Sequence, residues 1–339
     1  MSTKLSVIDL SGYSFTGKSA VYDLLSGWDG YCSHSKEFEF DLIRVQGGLI
    51  DLRQALTQEH WSPVRSSEAV RIFRRLVHHM GGDRGLLSRL IRSGAHYDHY
   101  FPGFTQLTTE FISSLVDASW QCEWPFALYS SDTCCITARK LARRFNISRD
   151  DTVYLARLPE AEFDSRSRQY FERLFAPLAA KGFRWLVLNN AFEPFSPERS
   201  IEFFDHAKAI VVDRDPRDVY LSALRAGMIE GSQVGLAVTG GSVSNFIRRF
   251  RIYRNGAISA SPHVYRMQFE ALVLDYAAEV TRIRAFLGES SVASSTPGRA
   301  FDPKNSARNV GQWKSLDDSR LRGDVDVIKS ELSEYCLDV

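Results

Sequence analysis

The stretch "LSVIDLSGYSFTGKSAVYDLL", residues 5–25, decides the fold. Leu5 to Leu10 read as a buried strand, and Ala20, Val21, Leu24 and Leu25 then recur at the spacing of one helix face. Between the two, Gly12, Gly17, Lys18 and Ser19 satisfy G-x-x-x-x-G-K-[ST], in the strand, loop and helix order that this phosphate-cradling pattern requires. Such a loop attracts an anion because the N–H groups opening the helix and the positive end of its dipole favour negative charge. Gly12 and Gly17 permit close approach, and Lys18 adds a point charge. The candidate nucleotide-binding residues here are Gly12, Ser14, Phe15, Thr16, Gly17, Lys18, Ser19 and Ala20. By itself the motif suits an ATPase or kinase and leaves the nucleotide open.

Composition sets the limits around that motif. The 339 residues are 44% hydrophobic and 24% charged, enough for a large core of ordinary globular type. A net charge of +1 argues against a general nucleic-acid binder. No apolar run approaches a membrane span, and Asp9 interrupts the first one, so the expectation is a cytoplasmic chain with no transmembrane segment. The cysteines Cys32, Cys122, Cys134, Cys135 and Cys336 form no C-x-x-C pair and no zinc-like pattern with histidine, which reads as reduced thiols and no metal site.

Strand candidates alternate with helical patterns, as in a parallel α/β sheet. Besides Leu5 to Leu10 they are Phe126 to Ser130, Trp185 to Asn189, Lys208 to Asp213 and Val264 to Phe269. The segment from about Leu49 to Arg149 reads mainly as helix. In "RIFRRLVHHM", Ile72, Phe73, Leu76, Val77 and Met80 make one apolar stripe, with His78 and His79 as helix-end cations. "EGSQVGLAVTGGSVS", Glu230 to Ser244, reads as a mobile loop. In "NFIRRFRIYRNG", residues 245–256, Phe246, Ile247, Phe250 and Tyr253 form the core stripe, leaving Arg248, Arg249, Arg251 and Arg254 mainly exposed.

A second stretch changes the functional reading. In "KAIVVDRDPRDVYLSAL", residues 208–224, a buried strand ends in Arg214, a Pro-restrained turn and a new helix carrying Ser222. Read generically, Asp213 is the acid of a magnesium-ordering strand. Read as a longer motif, Arg214, Asp215-Pro216, Arg217-Asp218 and Ser222 resemble the 3′-phosphate-binding segment of the sulfotransferases that use 3′-phosphoadenosine 5′-phosphosulfate. "VYRMQFEALVLDYAAEVTRIRAFLG", residues 264–288, resembles the same family's strand, YE-x-L and helix segment. "SARNVGQWKSL", residues 306–316, is similar to its late loop over the nucleotide. The resemblance covers about Leu5 to Phe40 and Arg184 to Leu316. It implies a three-layer α/β fold with a parallel sheet and P-loop-type nucleotide site. It also implies one catalytic domain over 1–339 with a helical, acceptor-side insertion at about 49–149. Arg214, Ser222, Arg308 and Trp313 join the loop as nucleotide-binding residues. The family often has a cation two residues before the loop glycine; Phe15 stands there, so Lys18 supplies the charge.

Sulfuryl transfer needs a base for the acceptor's proton and cations for the charge that develops on the bridging oxygen. In "SHSKEFEFDL", residues 33–42, Glu37, Glu39 and Asp41 share a face if the segment is extended. Lys36, Glu37 and Phe40 reproduce the K-E-x-x-F stretch of the heparan-type glycan sulfotransferases, which selects Glu37 as the base facing Lys18. His96 and His99 in "GAHYDHYFPGF" and His34 are the histidine alternatives, with His99 the leading one. The resemblance implies 3′-phosphoadenosine 5′-phosphosulfate as cofactor, no metal, and a carbohydrate or glycolipid acceptor. Two other readings stand beside it: a small-molecule or sugar kinase using MgATP, with Lys18, Ser19 and Asp213 on the nucleotide and metal, and a non-catalytic nucleotide-binding module.

Overall fold

The computed structural model describes residues 5–82, 96–122, 124, 126, 137, 151–226, 243–255, 261–289 and 301–338. Its strands are β1 (Ser6–Gly12), β2 (Tyr31–Ser33), β3 (Ala118–Cys122), β4 (Asp151–Leu155), β5 (Trp185–Asn189), β6 (Ala207–Asp213) and β7 (Val264–Gln268). The chain divides into two compact units, Met1–Asp41 with Ala176–Val339, and Leu42–Phe175.

The first unit is built on a five-stranded sheet in the order β2-β5-β1-β6-β7, with every pairing parallel. β1 lies at its centre, Val7 opposite Leu186 on one side and Ala207 on the other. Parallel strands buried on both faces read as nearly continuous apolar runs, and Val7, Ile8, Leu10, Ile210, Val211 and Val212 are buried accordingly. β1 leads to β2 on one side of itself, whereas β5 leads across it to β6 on the other. In an open α/β sheet, such a reversal of strand order opens a crevice at the carboxyl ends of the strands. The phosphate-type loop leaves β1 at that point.

Helix Lys18–Ser26 buries Ala20, Val21, Leu24 and Leu25, the face read from the sequence, together with Tyr22. These side chains share a core with Ile8, Leu10, Ile210, Met267 and Ile283. A second cluster joins Val219, Phe246, Phe250, Val325 and Ile328.

The second unit is mainly helical, with helices Leu49–Thr57, Pro63–Gly81, Tyr97–Tyr100 and Phe104–Leu115, most of helix Glu160–Ala180, and the antiparallel pair β3-β4. In helix Pro63–Gly81 the buried stripe is Val70, Phe73, Val77 and Met80. Ile72, expected on that stripe, is 38% exposed, because a strict three-and-four spacing from Val70 leaves it off the core-facing arc. His78 and His79 are exposed in the last turn.

β7 stops at Gln268, and Phe269, expected to end the strand, opens a helix instead. The strand expected at Phe126 to Ser130 lies outside the described residues except for Phe126. Residues 230–242 of the expected mobile loop also lie outside them, while Val243 and Ser244 belong to helix Val243–Asn255. Among the described residues no helix is long and apolar enough to cross a membrane, and Cys32, Cys122 and Cys336 carry free thiols.

Gly17 ties the loop to the start of helix Phe269–Leu274. Its φ is +85°, and a Cβ built there would lie 2.3 Å from Phe269 Cδ2. Gly17→Ala should therefore lower stability by about 1–3 kcal/mol through both backbone strain and ring overlap. Denaturant unfolding measures the loss, and an unchanged midpoint would overturn the packing of Phe269 on this loop.

Candidate nucleotide and sulfuryl-transfer site

The loop after β1 turns through left-handed backbone at Ser14 (φ 71°), Phe15 (φ 55°) and Gly17 (φ 85°) before the helix begins at Lys18. A Cβ at Gly12, the last residue of β1, would meet Thr16 Oγ1 at 2.4 Å and the carbonyl of its β6 partner Val212 at 3.0 Å, so the loop folds back tightly over the strand end. Tyr13 anchors its near side: its hydroxyl donates to the Pro194 carbonyl (3.3 Å) and accepts from Arg266 (3.1 Å). Thr16 and Ala20 are buried, whereas Ser14 and Ser19 are exposed at the loop's mouth.

Arg214 follows β6 and is 5% exposed. Its Nη1 donates to the Phe15 carbonyl and to Ser222 Oγ, each at 3.0 Å, and its Nη2 to the Asn309 carbonyl. The guanidinium also lies 5.1 Å from the Phe269 ring centroid. The first loop, the strand-end arginine, the helix serine and the late loop thus meet at one guanidinium. Burial pulls the Arg214 pKa down, opposed by the charges of Asp218, Glu270 and Asp215.

The residues between Arg214 and Ser222 make that meeting possible. Asp215 caps helix Pro216–Arg225, accepting from the Arg217 N–H, and Pro216 takes the first helical position, where a missing N–H costs nothing. Asp215 also receives Arg217 Nε (2.9 Å) and Nη2 (2.6 Å) and the Leu337 N–H (2.8 Å). Asp218 accepts the N–H groups of Gly311 (2.7 Å) and Gln312 (2.8 Å), fastening the late loop to this helix. Of the two late-loop residues expected at the nucleotide, Trp313 packs on Arg217, whose guanidinium is 3.7 Å from its ring centroid, and Arg308 is exposed. It is the neighbouring Asn309 that touches Arg214.

The acidic stretch departs from expectation. Residues 34–40 are not a strand: Lys36 and Glu37 form a turn, the Glu37 carboxylate bonds the Ser35 hydroxyl, and Glu37 is exposed. The carboxylate beside Lys18 is that of Glu39, 3.7 Å from Nζ. Asn190 Nδ2 donates to the same Glu39 oxygen at 2.5 Å. Asn189 holds the stretch itself, donating to the Lys36 carbonyl (2.8 Å) and accepting from the Phe40 N–H (2.9 Å). The Asn189-Asn190 pair escaped the reading of the sequence, although two asparagines closing a buried strand are the available signal. His99 belongs to the second unit, where it is exposed against Tyr100.

Arg254 was expected to face solvent. Instead its side chain is 6% exposed and grips the Asp213 carboxylate, Nε donating at 2.9 Å and Nη2 to the other oxygen. Its guanidinium stacks 4.3 Å from the Tyr13 ring centroid. The kinase reading needs Asp213 for a metal, and a fixed cation already engages both of its oxygens. Arg248 is exposed as expected, while Arg249 and Arg251 are half-buried.

Solved structures align along nearly the whole chain. The sulfotransferase domain from the Synechococcus olefin synthase is 16% identical, with 98% of this chain and 95% of that one covered and a TM-score of 0.39. Sulfotransferase STF1 from Mycobacterium tuberculosis is 13% identical, with 98% and 77% covered and a TM-score of 0.37. Retinol dehydratase in complex with androsterone and inactive cofactor PAP is 13% identical, with 98% and 82% covered and a TM-score of 0.33. Neither a protein-family model nor a curated protein sequence matches the chain.

Glu270, of the stretch similar to YE-x-L, is 2% exposed and accepts the Asp215 N–H at 3.0 Å through Oε1. Among the described residues its Oε2 has no polar partner. Burial pushes its pKa from the ordinary 4.5 up to about 7. Between those values the folded chain keeps a proton that the unfolded chain has released, so stability falls as pH rises through this window and levels off above it. The total loss is roughly 3 kcal/mol. Glu270→Gln retains the acceptor for Asp215, and unfolding curves at pH 4.5, 6 and 8 should show that this component of the slope has disappeared.

Proposed function

We propose that the chain is a cytoplasmic sulfotransferase that moves a sulfuryl group from 3′-phosphoadenosine 5′-phosphosulfate to a hydroxyl of a carbohydrate or glycolipid. The single observation that carries this reading is the bond between Arg214 and Ser222, closed onto the Phe15 carbonyl of the first loop. A buried guanidinium and a hydroxyl at one point suit a phosphate, the first as a charge-assisted donor with fixed geometry and the second as a neutral donor. The carbohydrate class rests on the resemblance of the stretch around Lys36 and Phe40 and on the aromatic residues near His99, with Glu39 taking the part that the resemblance gives to Glu37. The residues assigned to the nucleotide lie in the first unit of a single catalytic chain.

When bound, 3′-phosphoadenosine 5′-phosphosulfate would supply the sulfuryl group, the new bond from the acceptor oxygen to sulfur replacing the bond from sulfur to the phosphate oxygen, with adenosine 3′,5′-bisphosphate as the other product. Lys18, at the opening of helix Lys18–Ser26, holds the charge that develops on that leaving oxygen, helped by the helix dipole and the loop N–H groups. Glu39, next to Lys18, takes the acceptor's proton. Arg214 and Ser222 hold the 3′-phosphate. Asp218 keeps the late loop over it by fixing Gly311 and Gln312.

Calorimetry separates this reading from the others. Adenosine 3′,5′-bisphosphate should bind without magnesium, and Arg214→Ala should weaken it by roughly 10–150-fold, the loss of one charge-assisted contact. Adenosine 5′-phosphosulfate, which lacks the 3′-phosphate, should lose much less. Equal weakening of both would remove Arg214 from the 3′ site, and binding of ATP that requires magnesium would favour the kinase.

The base is tested by turnover with labelled cofactor and a panel of polysaccharide precursors. Glu39→Gln should reduce turnover by roughly 10²–10⁴ with bisphosphate affinity nearly intact. Glu37→Gln and His99→Asn should each stay within a few-fold of the unaltered protein. If Glu37→Gln is the inactive variant, the base is the residue chosen by resemblance and not the one beside Lys18.

A further inference from the structure

Asn190 sits where the chain leaves β5, and its backbone is held from both sides. Its own N–H donates to the Leu10 carbonyl at 2.9 Å, and the next N–H, of Ala191, donates to the buried Asp9 carboxylate at 2.7 Å. Those two bonds to β1 fix Asn190 in left-handed backbone, φ 55°, a conformation that asparagine tolerates better than most residues. What remains to be set is the side chain, and its Nδ2 meets Glu39 Oε1 at 2.5 Å. Asn189 meanwhile grips the Lys36 carbonyl and the Phe40 N–H, so the ends of the stretch carrying Glu39 are held by the same strand end.

Lys18 approaches that Glu39 oxygen too, at 3.7 Å. An ammonium is a compact point charge whose attraction is nearly independent of carboxylate rotation, whereas a planar amide donates along a fixed direction. Nor does an amide compete for the proton a base must accept. We infer that Asn190 is a positioning residue for sulfuryl transfer: it locks the rotamer of the Glu39 carboxylate beside Lys18, with β1 supplying the rigid backing through Leu10 and Asp9. This rests on the reading of Glu39 as the base.

A turn residue alone would explain the left-handed backbone, so the test uses variants that keep it. Asn190→Gly retains the backbone and removes the amide. Asn190→Asp retains the shape and replaces the donor with an acceptor that repels Glu39. The expected order of kcat is the unaltered protein, then Asn190→Gly about tenfold lower, then Asn190→Asp lower still, with KM for the nucleotide unchanged in all three. In a Glu39→Gln background Asn190→Asp should cause no further loss, because the glutamine amide can donate to the new carboxylate.

The same double-mutant cycle in thermal unfolding reads the contact without turnover. Asn190→Asp should lower Tm when Glu39 is present and leave it unchanged with Glu39→Gln. Wild-type kcat in both Asn190 variants, or additive Tm changes, would overturn the inference. Coupled Tm values in a protein that binds no bisphosphate would support the hold on Glu39 while overturning the sulfotransferase reading.

Discussion

A guanidinium buried at the end of β6 has to be neutralised and hydrogen-bonded, or the fold loses several kcal/mol. Arg214 meets most of that demand through its two terminal nitrogens, with chain from far-separated places: the Phe15 carbonyl, the Ser222 hydroxyl and the Asn309 carbonyl, in the field of Asp218, Glu270 and Asp215, while its Nε has no partner among the described residues. Each partner is thereby fixed in position. The first loop is held to the end of β6, helix Pro216–Arg225 begins where Asp215 caps it, and the late loop lies where Asp218 receives it. Phe269 completes the arrangement from below, with its ring against both Gly17 and Arg214. The same contacts that engage one buried cation bring together the loops between which we place the nucleotide.

Much of this could be read in the sequence because it rests on local chemistry. The apolar run of β1, the glycine spacing after it and the helical recurrence of Ala20, Val21, Leu24 and Leu25 depend on residues within a few positions of one another. The same is true of β5, expected and found at Trp185 to Asn189, and of the Asp215-Pro216 helix start. Arg214 and Ser222, two helical turns and a cap apart, are paired by the family resemblance rather than by local pattern, and they share a hydrogen bond.

The acidic stretch was different. Phe38 and Phe40 are both buried, so the alternation in "KEFEFD" leaves Glu37 and Glu39 equivalent as a pattern. A turn at Lys36 and Glu37 breaks the equivalence, and what holds the turn is Asn189, about 150 residues further on in the chain. No periodicity in the stretch itself carries that information. Arg254 differs from expectation for a related reason: a helix rich in arginine looks like a solvated face until Asp213, at the end of β6, lies beside it. Long-range partners choose among residues that local pattern treats alike.

The placement of β1 has a consequence for how the chain is made. Its partners are β5 and β6, so more than 170 residues must be synthesised after β1 before either edge can pair. At about 5–20 residues per second, the run from Val7 to Leu10 waits for about 10–35 s outside any sheet. Short apolar β-formers left waiting are hazards for aggregation, and a charge within the run is the usual protection. Asp9 supplies that charge on the nascent chain, where a carboxylate of ordinary acidity is ionised. In the finished sheet, burial pushes its pKa well above the ordinary carboxylate range, and the same group becomes the acceptor that holds Ala191. One side chain thus keeps the strand soluble before its neighbours exist and pins one of them once they do.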